Sequence, residues 1–123
     1  MKTARTRLGD AGEAAAAEHF ARAGYRVVAR NHRCRRGEVD LVVEQGELLV
    51  FVEVRTRETA AFGSPEETVG AKKQRRVVLA ARDFLARRRG AERAVRFDVV
   101  SIVDAPDGLR LTHYPNAFDA GEV

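Results

Sequence analysis

GEVDLVVEQGELLVFVEVRT, running from Gly37 to Thr56, is the stretch that decides the fold. Its two apolar runs, Glu38 to Glu44 and Leu48 to Thr56, are rich in Val, Leu and Phe and flank Gln45-Gly46, a hairpin turn signal. Two antiparallel strands are expected. Side chains alternate across a strand, so Glu38, Asp40 and Val42 should share one face, and Leu49, Phe51, Glu53 and Arg55 a face of the next strand. A two-residue Gln45-Gly46 loop places Asp40 opposite Phe51 and diagonal to Glu53, whereas a four-residue loop pairs Asp40 with Glu53 directly. Either brings both carboxylates to one face, about 4.5 to 8 Å apart. A three-residue loop without a bulge would separate them.

Outward from the hairpin, Leu8, Ala11, Ala15, Glu18 and Phe20 have loosely helical spacing up to Gly24, a stop signal. Tyr25 to Arg30 reads as a strand, with Tyr25, Val27 and Ala29 facing one way. Asn31 to Gly37 reads as a basic loop carrying Arg33, Arg35 and Arg36, and Arg57 to Pro65 as another loop. Lys72 to Arg89 is a helix with the stripe Val77, Val78, Ala81, Phe84 and Leu85, and Gly90 can cap it. Arg96 to Val103 and Leu109 to Tyr114 are strands, with a frayed polar tail from Pro115. The order αβββαββ combines a hairpin with a helical crossover, which predicts an α/β fold with a mixed sheet flanked by helices.

With 123 residues, 45% hydrophobic and 33% charged, the chain suits a single domain. The apolar run Leu48 to Val52 is far below the roughly 18 to 20 residues of a spanning helix. The first residues lack the apolar core of a signal peptide, so a cytoplasmic protein is expected. Cys34 is the one cysteine and His19, His32 and His113 lack metal-ligand spacing, which leaves little for a zinc site. A net charge of +4, carried mostly by arginine, makes nucleic acid a plausible partner but also fits an arginine-rich background composition.

Two adjacent carboxylates repel, so something positive should lie between Asp40 and Glu53. Mg²⁺ or Mn²⁺ suits them, being an oxygen-seeking cation held by one or two carboxylates plus phosphate. Glu13 could extend the acidic site, because Gly9 and Gly12 permit close backbone approach. The same residues also fit a solvated sheet face, with Asp40 paired to a loop arginine and Glu53 to Arg55 or Arg57.

With these residues assembled, the chain resembles the YraN-like family of small bacterial proteins with a restriction-endonuclease-like fold, relatives of archaeal Holliday-junction resolvases. The resemblance rests on Gly12-Glu13, Gly24-Tyr25, Asn31, Gly37-Glu38-Val39-Asp40-Leu41, Phe51-Val52-Glu53-Val54, Thr56-Arg57, Phe62-Gly63, Lys73 and Arg96-Phe97-Asp98-Val99. It implies a PD-(D/E)xK core in which Asp40 and Glu53 bind metal, the Val54 carbonyl completes the coordination and Glu13 is an accessory acid. It also implies a metal-dependent endonuclease acting on branched or single-stranded DNA, in some relatives as a homodimer. Arg33, Arg35, Arg36, Arg57 and Lys73 would track the phosphates.

Arg55 stands where that pattern has the catalytic lysine. A guanidinium can stabilise charge but stays protonated and cannot act as a base. Two other functions therefore stand beside the nuclease: a nucleic-acid-binding module without turnover, and an interaction domain docking through a sheet edge.

Overall fold

The computed structural model describes residues 3–58, 69–88 and 93–120. The expected features at Phe62-Gly63, Pro65, Arg89 and Gly90 lie outside the described residues. Helix α1 (Ala4–Arg22) is followed by strands β1 (Arg26–Cys34), β2 (Gly37–Gln45) and β3 (Leu48–Arg57), helix α2 (Ala71–Arg87), and strands β4 (Ala94–Ala105) and β5 (Gly108–Phe118). The strands form one sheet in the order β1-β2-β3-β4-β5. β3 and β4 run parallel, joined through the segment that contains α2, and every other neighbouring pair is antiparallel. The αβββαββ order and the mixed α/β architecture are as the periodicity implies, and they are compatible with a restriction-endonuclease-like core.

Each helix covers one face of the sheet. Against α1, the side chains of Ala16, Ala17 and Phe20 pack on Leu41, Val43, Val50, Val52, Val100 and Ile102. Against α2, Val77, Val78, Ala81 and Phe84 pack on Val39, Val42, Leu49, Phe51 and Phe97. The α2 stripe matches the sequence reading, with Leu85 only partly buried. In α1 the loose spacing misled: Ala11 and Glu18 are exposed, and the buried line runs through Gly12, Ala16, Ala17 and Phe20. Small residues carry this line because α1 lies close to the sheet. A Cβ at Gly12 would fall 2.5 Å from Thr56 Oγ1, whereas Gly9 has open space around it, so of these two it is Gly12 that serves close approach.

The end of β1, its pleat and the end of β5 differ from expectation. Asn31 to Cys34 extend β1, so Arg33 lies on a strand and only Arg35 and Arg36 form the turn before Gly37. A bulge between Val27 and Ala29 breaks the pleat, sending Ala29 to the α2 side while Tyr25 and Val27 stay on the α1 side. Asn31 adds a positive φ of 51°. The supposedly frayed tail is partly strand: Pro115 to Phe118 belong to β5, and Phe118 stacks on Phe97 with ring centroids 5.2 Å apart. Proline, which has no N–H to donate, is tolerated because β5 is an edge strand.

Aromatic packing holds this end against Phe97, so Phe118→Ala should lower stability by about 2 kcal/mol, measurable by urea denaturation. An unchanged midpoint would show that the stack carries no load. Beside it, a cavity of about 300 Å³ opens between the second half of α2 and Val95 to Phe97, with Asn116 and Phe118 on its rim.

On the opposite face, fully buried Asp98 organises a polar network. Its carboxylate accepts two bonds from Arg96, each 2.8 Å, one from the Asn116 backbone N–H at 2.9 Å, and pairs with His113 Nε2 at 2.6 Å. His113 Nδ1 lies 3.0 Å from His19 Nε2, tying α1 to β5. Both histidines are structural, as their spacing suggested. Satisfying every oxygen of a buried carboxylate in this way removes most of the penalty of its burial.

Candidate metal centre

The β2–β3 ladder begins at Gln45 opposite Leu48 and ends at Leu41 opposite Val52. Continuing that register places Asp40 opposite Glu53, the direct pairing of the two expected alternatives. The turn is Gly46-Glu47 rather than the expected Gln45-Gly46, so two loop residues rather than four give the direct pairing, and Gly46 takes a φ of +56° that suits a tight hairpin.

Strict alternation fails at Asp40. Val39 and Val42 pack on the α2 side, whereas Leu41 and Val43 pack on the α1 side. Glu38, Asp40 and Val42 therefore do not form the single uninterrupted row that period two implies. Where the pleat slips, the Asp40 carboxylate accepts a hydrogen bond from the Val54 backbone N–H at 2.8 Å, bridging the two strands with its side chain.

Glu53 is the deeper acid, only 4% exposed. Its carboxyl and that of Asp40 are within hydrogen-bonding reach of one another. Burial and then the neighbouring Asp40 charge push the Glu53 pKa up to about 8, against the opposing attraction of Lys73 and Arg55. Asp40 is also raised, chiefly by burial, although the Val54 N–H and the Glu53 hydrogen bond favour its ionised form. Glu53 Oε2 is buried with no hydrogen-bond partner.

Other elements converge on this pair. From α1, Glu13 is raised by partial burial and by the Asp40 charge, and it accepts a 3.4 Å hydrogen bond from Asn31 on β1. From α2, Lys73 Nζ lies 3.7 Å from Glu53 Oε1 and 3.5 Å from Glu38 Oε1. Glu38 in turn pairs with Arg33 at 3.5 Å. The structure thus brings together Glu13, Asp40, Glu53 and Lys73, with Arg33 at the margin. Arg35 and Arg36 are exposed on the adjacent turn, and Arg57 ends β3.

Glu38 was not singled out from the sequence. Its position beside the Asp40 motif was visible, but its contact with Lys73 depends on how α2 lies across β2. Of the cations weighed for Glu53, the ion pair within 4 Å is with Lys73 rather than with Arg55 or Arg57, and Arg55 acts on it only by the longer-range attraction of opposite charges. Cys34 is partly buried and packs against the α2-side core.

Buried Glu53, with its orphaned oxygen, and half-buried Asp40 form a hard-oxygen donor set that a divalent cation would satisfy. Among the described residues no three His, Cys, Asp or Glu side chains converge on one point. A cation here would therefore depend on the Asp40–Glu53 pair completed by backbone, water or phosphate oxygens.

The model of the uncharacterised protein family UPF0102 matches residues 12–102, a span that contains every acid of this centre. The chain belongs to that family. Its similarity to other UPF0102 proteins extends over most of the chain: it is 55% identical over 115 residues to one from Anaeromyxobacter dehalogenans, covering 94% of this chain and 86% of the relative. A UPF0102 protein of Symbiobacterium thermophilum is 50% identical, with 93% and 98% covered. One from Myxococcus xanthus is 46% identical, with 95% and 93% covered. No helix among the described residues of this UPF0102 protein is long and apolar enough to cross a membrane.

Proposed function

We propose that this UPF0102 protein is a metal-dependent endonuclease of the cytoplasm, hydrolysing phosphodiester bonds in DNA, with branched or single-stranded DNA as the candidate substrates. The observation that carries the reading is the pairing of half-buried Asp40 with buried Glu53, whose unpartnered oxygen and raised pKa are costly in a protein that gains nothing from them. Asp40 and Glu53 would hold Mg²⁺ or Mn²⁺, with the Val54 carbonyl as a further donor. When bound, such a cation supplies Lewis-acid stabilisation of the charge that builds on the phosphate oxygens.

The chain's own residues would do the rest. Glu13 accepts a hydrogen bond from Asn31 and stands near Asp40, where it can orient a water approaching the phosphate. Arg55 and Lys73 bring positive charge to the phosphate, and Arg33, Arg35, Arg36 and Arg57 bind the flanking backbone. Arg55 favours one competing reading, a nucleic-acid-binding module without turnover, because a permanently protonated side chain occupies the lysine position.

Calorimetric titration of Mn²⁺ into the protein should show a site whose affinity falls at least about tenfold in Asp40→Asn, with DNA cleavage abolished in the same variant. Cleavage that survives Asp40→Asn excludes this centre as the catalytic one. Salt-sensitive DNA binding with metal uptake but no cleavage favours the binding module.

A further inference from the structure

Between the two acids closest to the sheet surface of α2, one side chain occupies the place where a cation is wanted. Lys73 is held in the first turn of α2 and is about 29% exposed, with its ammonium facing Glu38 on β2 and Glu53 on β3. Arg55, two residues beyond Glu53 on β3, reaches Glu53 only through the longer-range attraction of opposite charges. Of the two cations, Lys73 opposes the rise in the Glu53 pKa more strongly. The groups facing Lys73 are thus Glu38 and Glu53 directly, with Asp40 close enough to feel its charge.

We propose that Lys73 supplies from α2 the ammonium that β3 lacks at position 55: it rests on Glu53 while the centre is empty and turns to the phosphate of the bound strand when a divalent cation takes its place. The inference rests on the metal-site reading above and adds to it a catalytic lysine on a different element. A mobile stem with three donors suits this exchange better than a rigid guanidinium. Glu38 provides a resting partner for the displaced ammonium, 3.5 Å away at the outset, so Lys73 need not be left unpaired during the exchange.

The charge relation has a signature that a merely structural lysine would not give. A cation sitting on Glu53 competes with metal, so removing it should tighten metal binding while weakening cleavage. Mn²⁺ is titrated by calorimetry into the unmodified protein, Lys73→Gln, Lys73→Arg and Arg55→Gln, and each is assayed on branched DNA at saturating Mn²⁺. Lys73→Gln should bind Mn²⁺ about three- to tenfold more tightly, with Lys73→Arg near the unmodified protein and Arg55→Gln shifted less than Lys73→Gln. Cleavage should fall about a hundredfold in Lys73→Gln, with partial recovery in Lys73→Arg and a smaller loss in Arg55→Gln.

Unchanged or weaker Mn²⁺ binding by folded Lys73→Gln overturns the proposal, as does a larger shift or larger loss in Arg55→Gln. If the unmodified protein takes up Mn²⁺ through Asp40 but cuts no DNA, the nuclease reading fails and the proposed role at phosphate fails with it, whatever the affinities show. If it cuts through Asp40 and the affinities do not move, only the assignment to Lys73 fails.

Discussion

Replacing Glu53 by glutamine should make the metal-free protein more stable at pH 8.5, while removing its capacity to hold a divalent ion. The sign follows from the raised pKa. Below about pH 4.5 the carboxyl is protonated in both folded and unfolded chains, so its ionisation makes no difference to stability. Between about 4.5 and about 8 the unfolded chain gives up the proton and the folded chain keeps it, so stability falls as pH rises. Above about 8 the whole penalty is present.

For a carboxyl this deeply buried, a shift from 4.5 to about 8 corresponds to on the order of 5 kcal/mol. Urea denaturation in a chelator at pH 5 and pH 8.5 measures it. The unmodified protein should lose much of its stability between these values, and Glu53→Gln should lose clearly less, part of the slope remaining because Asp40 and Glu13 are raised too. Mn²⁺ at pH 8.5 should restore the unmodified protein and leave Glu53→Gln unchanged, since a ligand bound only by the folded state stabilises it. Parallel pH profiles would mean that Glu53 is ionised at little cost, and the case for a metal-demanding site would lose its electrostatic basis.

The second large effect lies at Gly37. An added Cβ there would overlap the Arg76 carbonyl oxygen and come within 3.1 Å of the Ala80 backbone nitrogen. Both atoms belong to the α2 backbone, so no side-chain rotation relieves the clash and the helix must move off the sheet. Gly37→Ala should cost about 3 kcal/mol or more, and the displaced helix should carry Lys73 away from Glu38 and Glu53. Gly12→Ala should cost less, because its neighbour is the Thr56 side chain, which can turn aside. Denaturant midpoints for the two variants provide the comparison, and equal losses would show that the α2 contact is softer than its geometry indicates.

Much of this was legible before any coordinates. The hairpin from Gly37 to Thr56 carries an apolar pattern and a turn signal strong enough to bring Asp40 and Glu53 together, and the α2 stripe is dense enough to name its core. Local irregularity was not legible. The bulge near Val28 and the slip at Asp40 leave no mark on the residue types, because Val and Ala are welcome on either face of a sheet buried on both sides. The end of β5 was hidden for a different reason: Pro115 and Asn116 advertise a turn, while the pairing that overrides them comes from Phe97 and Asp98, far away in sequence. Glu38 and Lys73 meet only because α2 crosses the start of β2, a tertiary fact that spacing within either segment does not encode.

The two glycine seats lie on opposite faces of the sheet, Gly12 against β3 and Gly37 against α2, and each is next in sequence to an acid of the centre. Both helices lie close against the strands at that end, α1 against a side chain that can turn and α2 against backbone that leaves no room for a methyl group. The cavity of about 300 Å³ lies by the later turns of α2, where the packing has room to give. The backbone contact at Gly37 and the hollow thus lie at different turns of α2, so the separation of this helix from the sheet is set by close packing where it passes the carboxylates.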